Sequence, residues 1–335
     1  MFKYNIKNNY VLDENSDIGK YTLSTPIDEQ FVMNKEDIRE LEKEYRIRAK
    51  LNVNSVYNNN WNNVLLEKVF SFSYPLRKLL KSNTQEYLNA WELYSYFESI
   101  EKNSNVMFIG EFTEMSKILK ENNKVNIEEI AGLKGVDSSN KFNVSNMRAW
   151  KNNIDIALKP IHTIISNYEV GLPSVIIFTL MNLSIDGSAY VLLPYIKTSA
   201  LVSAIHLFSM CFKTAEILHT IANDKIYLCG NNLEKKIDTD KFYKFCSNYP
   251  NYYDVTMFTK EYIITEVFDN TIDNILMFNN KTNAWRYKYY EKLLVLTNKL
   301  KSSASSKIFA KYDENLLSSY YKEKSDKWIQ ATNFK

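Results

Sequence analysis

The sequence predicts an α/β protein with a mostly parallel sheet, closed at one edge by an antiparallel hairpin, and helical extensions at both ends. Three observations carry that expectation. Between Gln85 and Gly230, short apolar runs alternate with longer stretches of helical spacing, the pattern of strands joined by crossover helices. The run Val106-Met107-Phe108-Ile109 is continuously apolar and ends at Gly110, as a strand covered on both faces requires. Two further runs, Ala215–Leu218 and Lys225–Cys229, are separated by Asn223-Asp224 and read as a hairpin.

The first thirty residues are polar and irregular, with Gly19 and Pro26, and read as an arm. Asn34 offers a helix N-cap, followed by Ile38, Leu41 and Tyr45 at helical spacing. The asparagine-rich stretch 52–63 reads as a loop. Gln85 to Ile100 suits a helix with Leu88, Trp91 and Tyr94 on one side, and a second helix is expected near Glu114–Glu121. Ile161–Ile165 is a strand candidate. Ser174–Leu183 reads as a helix, Asp186-Gly187 as a turn, Ser188–Leu193 as a strand, and Ser199–Phe212 as a strongly apolar helix. Beyond Asn231 the pattern is helical, over Thr265–Phe278 and Ala284–Leu300, ending in a Ser- and Lys-rich tail. The division is an N-terminal extension over 1–80, an α/β core over 81–235 and a helical, basic segment over 236–335.

Composition narrows the function. The chain has 335 residues, 45% hydrophobic and 24% charged, enough apolar surface to offset the entropy of ordering. Its net charge of +3 is too small to mark a nucleic-acid binder, but the charge is uneven. Lys281 to Lys335 holds twelve Lys and Arg against five Asp and Glu, a balance of +7 that leaves −4 for the rest. Cys211, Cys229 and Cys246 form no C-x-x-C pair and read as free thiols of a reducing compartment. Met1 to Tyr10 is polar, unlike a signal peptide, and the apolar stretches at Ile176–Leu183 and Ala200–Phe212 fall short of the ~20 residues that span a bilayer. A cytoplasmic protein with no membrane and no metal is the expectation. His162, His206 and His219 lack a carboxylate or cysteine at ligand spacing and read as structural. Ser166, Glu169 and Asp186 come without a G-x-S-x-G elbow, and no G-x-x-x-x-G-K-[ST] loop exists, which argues against a hydrolase and an NTPase.

Three stretches in order resemble the FtsJ-like RNA 2′-O-ribose methyltransferases, the viral cap enzymes among them. Asn89-Ala90-Trp91 is similar to that family's Arg/Asn-Ala-Trp helix motif. Asp186-Gly187-Ser188-Ala189-Tyr190-Val191 resembles its Gly-Gly-Ser strand, and Lys225-Ile226-Tyr227-Leu228-Cys229 its closing Glu-x-Tyr-Ile-Val strand. The resemblance implies a Rossmann-like methyltransferase sheet and a Lys-Asp-Lys-Glu tetrad, in which a lysine among carboxylates removes the proton of a ribose hydroxyl. The tetrad positions fall on Leu93, Asn167, Leu192 and Lys225, so none keeps its family residue. The family's cofactor loop, Asp-x-Gly-x-x-Pro-Gly-Gly, falls on Phe108-Ile109-Gly110-Glu111-Phe112-Thr113-Glu114-Met115. Only Gly110 survives, in a chain with just 7 glycines, although such folds use glycines to let a cofactor approach backbone. A weaker resemblance, carried by the Leu193-Pro194 strand end and the trailing helical segment, is to the small stimulatory subunit of poxvirus mRNA-capping enzymes.

The resemblance therefore implies a methyltransferase-like subunit without catalytic residues or cofactor. Its expected partner is a capping enzyme or RNA polymerase, in the cytoplasm or packaged in a virion. Two other readings stand beside it. One is an active cap 2′-O-methyltransferase using S-adenosylmethionine. The other is an RNA-binding module in which Arg286, Lys288, Lys292, Lys299 and Lys301 track phosphates; the same residues also read as partner contacts or as a solvated helix face, and Tyr252-Tyr253 is a further ambiguous feature.

Overall fold

A computed structural model describes residues 2–6, 85–97, 104–110, 112–123, 126–129, 160–167, 172–193, 199–222, 225–236, 273–275, 277–279, 281, 322–323 and 325–333. The elements in chain order are β1 (Phe2–Asn5), α1 (Gln85–Tyr96), β2 (Asn105–Ile109), α2 (Thr113–Asn123), β3 (Asn126–Glu129), β4 (Ile161–Ser166), α3 (Leu172–Asn182), β5 (Leu183–Leu193), α4 (Ser199–Cys211), β6 (Phe212–His219) and β7 (Ile226–Leu233).

The strands form one open, mixed sheet of seven in the order β1-β6-β7-β5-β4-β2-β3, flanked by helices in an α/β arrangement. β3, β2, β4 and β5 pair in parallel, and β5–β7, β7–β6 and β6–β1 are antiparallel. Because β5 and β6 both oppose β7, they point the same way, so only β7 and β1 are reversed among the described strands.

Alternation along the strands divides the core into two layers. Met107 and Ile109 of β2, Val191 and Leu193 of β5 and Ile226 and Leu228 of β7 join one buried cluster with α3 and α4. Val106 and Phe108, Tyr190 and Leu192, and Tyr227 and Cys229 join the other with α1 and α2. Both faces are covered, which is why the central runs are apolar at every position. Ile275 and Phe278, in the short helical stretches 273–275 and 277–279, add to the α3–α4 layer.

Several expectations need correction. The N-terminal arm contributes β1 at the sheet edge, anchored by Ile6, which is fully buried and whose N–H donates to Ala215 O at 3.0 Å. The β6–β7 hairpin is consequently internal, because β1 takes the edge beside β6 and β7 lies against β5. Asp186-Gly187 is not a turn between elements. It belongs to a bulge inside β5, where the register passes from Ile161↔Leu183 to Thr163↔Ser188. Asp186 takes φ 63° there, and a Cβ on Gly187 would come within 2.9 Å of two carbonyl oxygens, so the excursion needs glycine. α1 ends at Tyr96 rather than Ile100, closed by a tightened turn in which Phe97 N–H donates to Tyr94 O. α3 begins at Leu172, two residues early, with Pro173 in its first turn, where a missing N–H costs nothing. β3 has no counterpart among the expected strands: Asn126-Ile127-Glu128-Glu129 carries one apolar residue. Residues 325–332 are helical. The Asn34 helix, the loop 52–63, the helix over 284–300, the turn Asn223-Asp224 and Cys246 lie outside the described residues.

Two positions test the packing. A Cβ on Gly230 of β7 would meet the Phe208 and Phe212 rings at 2.7 Å, so that glycine lets α4 lie on the sheet. Gly230→Ala should destabilise the protein by roughly 1–3 kcal/mol in urea denaturation, the usual cost of overpacking. His206 of α4 is buried, and burial lowers its pKa from 6.5 to about 4. The unfolded chain then takes up this proton first as pH falls. Its contribution is complete above 6.5 and declines as pH drops from 6.5 towards 4, by up to roughly 3 kcal/mol. His206→Gln should flatten the stability profile between pH 6.5 and 5 relative to the parent, read from denaturation midpoints.

Candidate functional site

Open α/β sheets hold ligands beyond the carboxyl ends of the strands, where the strand order reverses. Here that switch point lies between β2 and β4, since the chain moves outward from β2 to β3 and returns on the other side to β4. Of the sequence-derived loop positions, Phe108 and Ile109 end β2 and Gly110, Thr113, Glu114 and Met115 follow it, while Asn167 follows β4, so these positions flank the crevice.

Among the described residues, backbone and side chain meet across this crevice. Ile109 pairs with Ser166, and Asn167 N–H donates to Ile109 O at 3.1 Å, joining the two strand ends. Gly110 turns away from β2 with φ 113°, a conformation that L side chains rarely adopt. The Asn167 amide lies directly on it: a Cβ at Gly110 would overlap the Asn167 Oδ1 atom. Phe108 is fully buried, and its ring stacks on Phe112 with centroids 4.9 Å apart. Met115 is buried in the α1–α2 layer. Thr113 is exposed at the start of α2. Glu114 turns to Lys117 along the helix in a 2.9 Å ion pair, a local contact worth a few tenths of a kcal/mol at most.

The tetrad positions gather at the same end of the sheet. Leu192 pairs with Tyr227 near the end of β5, and Lys225 immediately precedes β7. Leu93 on α1 shares a buried cluster with Leu192. Leu93 and Leu192 offer only hydrocarbon, and Asn167 is a neutral amide. Lys225 is half-buried, with its main chain engaged: Thr220 N–H donates to its carbonyl at 2.8 Å, and its own N–H donates to Thr220 Oγ1 at 3.1 Å. Among these four, no carboxylate stands ready to accept a proton or orient a lysine.

The histidines are scattered. His162 accepts a bond from Asn105 N–H at 3.0 Å at the opposite end of the sheet, His206 is within α4, and His219 ends β6. Ser166 is buried at the end of β4 while Asp186 is exposed in the β5 bulge, so they form no pair; Glu169 lies outside the described residues. So do Arg286, Lys288, Lys292, Lys299, Lys301 and Tyr252-Tyr253. Among the described residues, no group of three or more His, Cys, Asp or Glu is placed to hold a metal ion, and no helix is long and apolar enough to cross a membrane. Cys211 and Cys229 are buried free thiols.

Sequence reasoning missed a polar layer between α1 and the antiparallel half of the sheet. Glu92 is fully buried, and its carboxylate accepts from Ile221 N–H at 2.7 Å and Ala222 N–H at 2.9 Å. Asn89 Nδ2 donates to Tyr227 Oη at 3.0 Å, and Tyr190 Oη donates to Asn231 Oδ1 at 2.9 Å. Tyr96 Oη donates to Glu216, and burial holds that phenol well above its usual pKa, so it stays a donor. The spacing carried a signal for Glu92: it lies four residues after Leu88, hence on the same buried helix face. These groups fasten helix to sheet and face one another.

No family model matches the chain, and no curated protein matches it. The crevice geometry is itself testable. Gly110→Ala should cost roughly 1–3 kcal/mol, through both the positive φ and the overlap with Asn167. Asn167→Gly should recover part of that loss in the double variant. Strict additivity in the denaturation cycle would mean that the two residues do not touch.

Proposed function

We propose that the chain is a catalytically inactive, methyltransferase-like subunit that serves as a structural or regulatory partner of an mRNA-capping or transcription enzyme. In this reading the sheet is a Rossmann-like methyltransferase sheet, and the partner complex works in the cytoplasm or is packaged in a virion. The observation that carries the proposal is the content of the switch point. Asn167 sits over Gly110, and leucines stand at two of the positions where the resembling family keeps its proton-transfer groups.

The physical argument is one of missing terms. A positioned general base contributes about 10²–10⁴-fold in rate. An active ribose methyltransferase also needs backbone open to a sulfonium cofactor, and here Asn167 crowds the one retained glycine. Losing base, orienting carboxylates and cofactor seat together leaves binding as the task the remaining surface can perform. A chain selected to keep the fold after losing the chemistry acts through what it touches, which supports a protein partner and no resident cofactor.

Two measurements separate this from catalysis. Titration calorimetry with S-adenosylmethionine should give no binding heat; micromolar affinity would restore the active-enzyme reading. Affinity capture of the protein from its native source, followed by mass spectrometry, should recover an RNA-modifying enzyme or a polymerase subunit in stoichiometric amount. Recovery as a lone monomer would contradict the subunit proposal.

A further inference from the structure

The tip of the β6–β7 hairpin is gripped from two sides. From α1, Glu92 binds the Ile221 and Ala222 amides. From the other end of the chain, helical residues 325–332 bring Trp328 into a small cluster with Leu88 of α1 and Ala222 of the tip, backed by Tyr87, Trp91, Ile221 and Ile329. Trp328 is fully buried there, and Thr332 Oγ1 donates to its carbonyl at 2.9 Å.

Among the described residues this cluster is separate from the two sheet layers and far smaller, with three buried members, Leu88, Ala222 and Trp328. The outward side of the helix is polar, with an exposed Glu323–Lys327 pair at 2.8 Å. Burial also has an unfavourable component, because Ser325 Oγ is buried with no hydrogen-bond partner. Among the described residues Trp328 is thus the aromatic anchor of the segment, set beside a buried hydroxyl that makes an unfavourable contribution. That balance places its opening well below the energy of unfolding the sheet.

We propose that residues 325–332 form a releasable strap, which locks the hairpin tip onto α1 through Trp328 and opens without disrupting the sheet. The tip leads directly into Lys225 and the start of β7, where Ile226 pairs with Leu193 at the end of β5. Strap and carboxylate clamp therefore jointly fix one lip of the edge that carries the switch point.

Site-resolved amide hydrogen exchange on the full chain tests this. In Trp328→Ala, exchange at Ile221 and Ala222 and throughout 325–332 should rise by at least about tenfold, while β2 and β4 keep parental protection. In Glu92→Gln, the two tip amides should exchange faster while 325–332 stays protected; Trp328→Phe should retain most protection everywhere. Unchanged tip exchange in Trp328→Ala would overturn the strap. So would equal loss of protection in β2 and β4, or failure of that variant to fold, since either result would make Trp328 part of the main core.

Discussion

Burial of the sheet on both faces is the constraint from which most of this structure follows. A strand covered on two sides can carry almost no polar side chain without a partner, so β2, β5 and β7 alternate between two apolar clusters instead of between core and water. The helices must then supply matching apolar faces, and the few polar groups inside must meet each other. Tyr190 with Asn231, Asn89 with Tyr227 and Tyr96 with Glu216 are that solution on the α1 side. These are pairs between helix and strand or strand and strand, and they fix where α1 lies along the antiparallel half of the sheet.

The same constraint explains what was legible in the sequence. Central strands such as Val106–Ile109 announce themselves by unbroken hydrophobicity, and Ser199–Phe212 by apolar length. The edges do not. Phe2–Asn5 and Asn126–Glu129 are short, and their place in the sheet comes from main-chain pairing with distant neighbours, which leaves little trace in composition. The β5 bulge was misread for a related reason: Asp186-Gly187 has the residues of a turn, and turn chemistry was indeed used, but inside a strand that continues beyond it. The internal place of the hairpin depended on β1, so missing one edge displaced the other.

At the crevice, the order of elements put Gly110 and Asn167 after β2 and β4 without describing how they meet. That Gly110 and Asn167 would follow neighbouring strands could be anticipated from the order of elements. Their direct contact could not, because it depends on the backbone of Gly110 turning through a positive φ towards the end of β4. Glu92 shows the opposite failure. A carboxylate on a buried helix face is visible by counting, yet its role was hidden, since its partners are main-chain amides with no side-chain signature.

The pairing of β1 with β6 has a consequence for how the molecule is made. Phe2 lies opposite His219, so β1, once synthesised, must wait for β6 before the two can pair. At about 5–20 residues per second that interval is on the order of ten to forty seconds. Until then β1 lacks the strand it pairs with in the described sheet. Completion of the described sheet is thereby a late, long-range event, and the pairing edge of β1 must be shielded over that interval.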